Sequence, residues 1–99
     1  MKTTWTSPKY RAAAKGEECK LRLPGCRNEV ETVVLAHRNG AGMGMKASDH
    51  DAADMCDFCH STYDRRRFDH GVTREEIDAA FEVARLKTIL NRIERGVIR

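Results

Sequence analysis

The chain of 99 residues is read as one domain, with no room for a second core. Charged residues make up 33% and apolar ones, alanine and cysteine included, 40%, so the core is modest and needs an added staple. No apolar run reaches the length of a signal peptide or membrane span, so the expected address is cytoplasmic; a net charge of +3 leaves a nucleic-acid partner open without requiring one.

Residues 1–17 read as a basic arm. Lys2, Lys9, Arg11 and Lys15 precede its first acid, Glu17. Ser7-Pro8 is an N-cap followed by a first helical position, and Gly16 a stop, which predicts a short helix over residues 8–15. Lys9 and Arg11 are then candidates to lie on phosphate. The plainer reading is a frayed terminus with solvated lysines.

Residues 18–70 carry the chemistry. Cys19 and Cys26 bracket Lys20-Leu21-Arg22-Leu23, whose alternation predicts a short strand, and Pro24-Gly25, which turns the chain before the second thiol. Cys56-x2-Cys59 has the tight spacing of a zinc knuckle. The two pairs together read as a tetrahedral all-cysteine zinc site. A redox pair, a haem attachment at Cys56-x-x-Cys59-His60 and inert buried thiols are the other readings. A redox motif would want a βαβ context, and haem would leave Cys19 and Cys26 without a role.

Thr32-Val33-Val34-Leu35-Ala36 is the best strand, β-branched and apolar, and it ends at His37-Arg38. The Gly-rich stretch 39–44 matches no phosphate-binding loop and reads as a connection. His37 at that junction is placed to reach a cleft, although a single histidine is often a packed bystander. In Ser48-Asp-His-Asp51, His50 and Asp51 read as turn residues, while Asp49 stays open as a site residue. A helix over residues 57–68 then starts at the knuckle. It puts His60 and Asp64 at i and i+4, on a face other than that of the thiols. Arg65, Arg66 and Arg67 follow, as a phosphate clamp or a solvated face.

Residues 71–99 read as a long helix. Thr73-Arg-Glu-Glu76 is a capping box, and Gly96 follows the expected end near Arg95. Ile77, Ala80, Phe81 and Ala84 form a face toward the zinc module. Ala79, Val83, Leu86, Leu90, Ile93 and Val97 form a heptad-like seam on the other side. The seam could cover the N-terminal helix through Tyr10 and the alanines at 12–14, or could make a homodimer. Its span of under three heptads favours the intramolecular cover.

A histidine ending a strand, a loop, a knuckle and a helix with His60-x3-Asp64 follow one another as in a ββα-metal site. The sequence resembles the HNH nuclease superfamily in Leu35-Ala36-His37, Asp49 and Cys56-x2-Cys59-His60-x3-Asp64. More narrowly it resembles a small phage and prophage family of HNH-type nucleases typified by YbcO. That likeness also draws on Arg11-Ala-Ala-Ala-Lys-Gly, Arg22-Leu23-Pro24-Gly25 and Asp64-Arg65-Arg66. It implies an α+β, zinc-stapled ββα-metal domain in a phage or prophage protein of a bacterial host. It implies a DNA endonuclease with His37 as general base and Mg²⁺ or Mn²⁺ on His60 and Asp64. Asp49 would take the place of the asparagine that orients the base, and Arg38 or Arg65 would steady the phosphate. Zn²⁺ on Cys19, Cys26, Cys56 and Cys59 would be structural. The alternative is a non-catalytic zinc-knuckle module that binds nucleic acid or protein.

Overall fold

The structure is a computed structural model and describes residues 5–38, 48–64 and 71–98. Helix α1 spans Pro8–Ala12. Ser7 caps it by accepting from the Tyr10 amide, and the chain leaves it through turns ending at Gly16. Strand β1 is Val34–His37 and strand β2 is Ala52–Met55, paired antiparallel with Val34 opposite Met55 and His37 opposite Ala52. Helix α2 is Asp57–Tyr63, with Asp64 as its C-terminal cap. Helix α3 is Arg74–Glu94, opened by the Thr73–Glu76 capping box and closed before Gly96, whose φ of 74° suits a residue without a Cβ.

Two strand expectations are corrected. Residues 20–23 do not form a strand. Their alternation is one of burial alone, with Leu21 and Leu23 inside. The backbone turns back at Arg22, φ 50°, whose Nε donates to the Cys19 carbonyl at 3.0 Å. The β1 partner is instead Ala52–Met55, so His37 ends the first strand of the hairpin rather than the second. The good strand is also shorter than residues 32–36 suggested, because Val30–Thr32 forms a 3₁₀ turn. Residues 65–68 of the expected α2 lie outside the described residues.

The core lies where β2 is clasped between β1 and α3. Ala52, Ala53 and Met55 are fully buried, and Ile77, Phe81 and Ala84 of α3 face the same interior. Tyr63 stacks on Phe81 with ring centroids 4.8 Å apart. A buried ion pair joins α3 to β2: both terminal nitrogens of Arg92 donate to the two oxygens of Asp54, at 2.8 and 2.6 Å, and both side chains are 0% exposed. Arg92 Nε also donates to the Tyr10 carbonyl at 3.1 Å, which ties α1 to α3 and β2.

The seam of α3 does not cover the N-terminal helix. Arg92 and Arg95 hold that helix from the other side, Arg95 donating to the Ala13 carbonyl at 2.8 Å. Val83, Leu86, Leu90 and Ile93 are left exposed.

Candidate metal centre and histidine pair

The four thiols meet. The Sγ atoms of Cys19, Cys26, Cys56 and Cys59 all lie within 4.8 Å of one another, and those of Cys26 and Cys56 are 3.7 Å apart. A tetrahedron of zinc–thiolate bonds of about 2.3 Å has sulfur–sulfur edges of about 3.8 Å, so the cluster has the size zinc needs. All four are free thiols, and three are buried. Two local devices bring the first pair together. Asn28, at φ 51°, accepts from the Cys19 amide at 2.7 Å, and its own amide donates to Cys26 Sγ at 3.3 Å. At Gly25, φ 91°, a Cβ would stand 2.8 Å from the Phe58 ring, so the turn before Cys26 needs glycine. The thiols are electrically unequal. The hydrogen bond with Cys59 pulls Cys19 down to about 4, burial pushes Cys26 up to about 11, and the bond to Cys19 and burial drive Cys59 up. A dication would take the place of the shared protons.

Past the thiols, α2 buries Cys59, Thr62 and Tyr63 and leaves His60 and Asp64 half-buried. His60 Nε2 lies 3.1 Å from Asp64 Oδ2. At the far end of β1, His37 Nε2 lies 2.7 Å from Asp49 Oδ1. Asp49 is 2% exposed. Its other oxygen accepts from the Ser7 amide at 2.6 Å and from Arg11 at 2.7 Å. Burial opposes the charge on Asp49, but the bonds from His37 and Ser7 and the Arg11 guanidinium outweigh it and hold the carboxyl below its usual 3.8. Asp49 is therefore an acceptor, and His37 Nε2 carries the hydrogen between them. The lone pair of the neutral imidazole is left on Nδ1.

The structure thus joins some expected residues and redirects others. His37 and Asp49 form one pair and His60 and Asp64 another. Among the described residues, the four cysteines are the one group of three or more potential metal ligands close enough to share an ion. Arg11, expected on phosphate, is on Asp49 with its side chain 44% exposed. Arg38 lies between Asp51, 2.8 Å from its Nε, and Glu82, 2.7 Å away, over the Phe81 ring. Lys9 is exposed on α1. Arg65 lies outside the described residues.

Sequence reasoning missed the role of the N-terminal arm. Trp5 exchanges backbone bonds with the 48–49 turn: its amide donates to Ser48 Oγ, and its carbonyl accepts from the Asp49 amide, both at 2.9 Å. Its ring stands edge-on to Tyr10 at 5.3 Å. No local pattern announces these contacts, since they join residues about forty apart in the chain, as in the separation of 42 between Ser7 and Asp49.

The family model described as "Putative nuclease YbcO" matches residues 8–95. The chain belongs to the YbcO family. It is similar to "Putative nuclease YbcO" of Escherichia coli (strain K12), 45% identical over 60 residues, which is 57% of this chain and 62% of that protein. It is equally similar to "Putative nuclease ybcO" of Enterobacteria phage 82, with the same identity and coverage. Each match therefore spans less than two thirds of the relative. Among solved structures it resembles "Structure of a putative bacteriophage protein from Escherichia coli str. K-12 substr. MG1655". That likeness has a TM-score of 0.73 and 34% identity, and covers 89% of this chain and all of that one. Across the described residues no helix is long and apolar enough to cross a membrane.

Proposed function

We propose that the chain is a metal-dependent endonuclease of the HNH type that hydrolyses phosphodiester bonds in DNA. One observation carries the reading: His37 Nε2 is tied to a buried carboxylate at 2.7 Å while the ring remains 34% exposed. A bystander histidine needs no such partner. A general base does, because the bond fixes the tautomer and leaves the lone pair on Nδ1.

Asp49 orients the imidazole, and Ser7 and Arg11 orient Asp49. His37 Nδ1 takes a proton from a water. The water oxygen forms its bond to phosphorus as the bond from phosphorus to the 3′ oxygen breaks in line. The His60 nitrogen and Asp64 oxygen, side by side on one helix face, are a donor set for a hard cation such as Mg²⁺ or Mn²⁺. When bound, such an ion neutralises charge on the phosphate and on the leaving oxygen. Cys19, Cys26, Cys56 and Cys59 would hold Zn²⁺, which would tie the 19–26 turn to the start of α2 and take no chemical part. Arg38 or Arg65 steadies the phosphate, which for Arg38 means releasing one of its two carboxylates. Lys9 and the exposed part of Arg11 lie on the DNA backbone.

The relatives' shared description as nucleases and the ββα order of β1, β2 and α2 support this reading. His37→Ala tests it. The variant should keep its zinc and its DNA affinity and lose cleavage; full activity would remove His37 from the mechanism. A second reading, a zinc-knuckle module that binds nucleic acid, is favoured by the ordinary i,i+4 ion-pair form of His60–Asp64. It expects salt-dependent binding with no cleavage under any divalent ion.

A further inference from the structure

Helix α3 is apolar on two opposite sides. Ile77, Phe81, Ala84 and Thr88 are buried against the sheet. Val83, Leu86, Leu90 and Ile93 are 52, 55, 58 and 47% exposed. With 3.6 residues per turn, the two sets point about 180° apart. Four large apolar side chains in one line are a patch rather than scattered exposure, and soluble proteins keep such patches for partners. The chain's own N-terminal helix is not the cover, because Arg92 and Arg95 hold it elsewhere.

We propose that this seam is the interface between two copies of the chain, with the α3 helices side by side and parallel. The seam is self-complementary. From Ala79 to Val97 its residues recur at alternate steps of four and three, the spacing that lets two helices keep one stripe in contact. No charged residue interrupts it.

The flanking charges choose the orientation. Glu82 and Lys87 are five apart on the two borders of the stripe, at the g and e positions. In a parallel pair, Glu82 of one copy meets Lys87 of the other, twice by symmetry. Glu82 already contacts Arg38 at 2.7 Å and Arg85 at 3.5 Å, but its side chain is 51% exposed and each oxygen can accept from a further cation. An antiparallel pair that stacks Leu86 on Leu90 would instead bring the two Lys87 ammonium groups together. The interface lies on the side of α3 turned away from the sheet, so pairing disturbs none of the buried contacts. The seam covers under three heptads, and the association is accordingly reversible and concentration-dependent. The inference does not depend on the nuclease reading. A parallel pair would display two copies of the His37 site related by a two-fold axis.

Sedimentation equilibrium of the full, zinc-loaded chain, from micromolar to millimolar, tests it. Wild type should show a monomer–dimer equilibrium. Leu86→Glu and Leu90→Glu should each raise the dimer dissociation constant about tenfold or more, with zinc content and melting unchanged because both positions are exposed. Val83→Cys should cross-link to its own copy on oxidation, since a parallel pair sets 83 beside 83 and an antiparallel pair sets it beside Ile93. Lys87→Glu should weaken the pair. A monomer at every concentration overturns the proposal and leaves the seam to a different protein. A dimer unmoved by both glutamate variants overturns the surface. A seam dimer without the Val83→Cys cross-link overturns the parallel arrangement.

Discussion

Asp49→Asn should disable the proposed site while leaving almost every atom in place. Asp49 accepts three bonds: His37 Nε2 on one oxygen, and the Ser7 amide and Arg11 on the other. An asparagine has one carbonyl oxygen and one amide nitrogen. The two donors at Ser7 and Arg11 demand the oxygen, so the new NH₂ must face His37. Nε2 then has to accept rather than donate, and the ring proton moves to Nδ1, the atom that must take a proton from water. A correctly placed general base contributes about 10²–10⁴ in rate, equivalent to about 2.7–5.5 kcal/mol of barrier. The expected loss in kcat lies in that range, with DNA affinity little changed. Stability should fall by about 1.5–3 kcal/mol, the worth of a charge-assisted hydrogen bond. The assay is single-turnover nicking, with the His37 ring ¹⁵N shifts recorded alongside to read the tautomer. Cleavage within threefold of wild type (roughly 0.7 kcal/mol) in a variant beside a dead His37→Ala would refute the argument that Asp49 sets the base.

Other expectations follow from the same contacts. Arg92→Met leaves Asp54 buried beside only a 3.4 Å contact to Lys20; breaking such a pair costs about 3–5 kcal/mol, read as a fall in Tm of about 12 °C or more for a domain of this size. Dialysis against a strong zinc chelator should unfold the chain, because metal binding in small thiolate sites supplies folding energy; an unchanged circular-dichroism melt with no zinc bound would show that the thiols are inert. Asp49 has a folded pKa below its usual 3.8, so its contribution to stability is complete above that value and is lost as pH falls through the folded pKa. The stability gap between wild type and Asp49→Asn in acid denaturation should therefore narrow below about pH 4.

What could be read from the sequence was what local chemistry decides. The Thr73–Glu76 box, the Ser7-Pro8 start, the cysteine spacing and His37 at a strand end all rest on contacts within a few residues, and the structure has each of them. Strand β2 was not legible because its reasons are distant. Ala52 and Ala53 have little β-propensity, and their places in the strand rest on full burial within the fold. Asp54 breaks any apolar pattern and is sustained by Arg92, 38 residues away. The alternation at 20–23 has the period of a strand but records only which leucines go inward. At the site, the His37–Asp49 pair was half legible: the histidine announced itself, while its partner's hold by Ser7 and Arg11 depends on an arm whose charge suggested phosphate instead. The seam on α3 was visible in its spacing, but the element that covers a stripe cannot be read from the stripe.

The proposed nuclease cuts DNA with His37 and a cation on His60 and Asp64 together. The most direct test is cleavage of supercoiled plasmid and single-stranded DNA by zinc-loaded protein in EDTA, Mg²⁺ and Mn²⁺, with His60→Ala and His37→Ala in parallel. Nicking should need added metal and should disappear in both variants while zinc stays bound. No cleavage under any metal by folded, zinc-loaded wild type would contradict it and leave the chain a binding module.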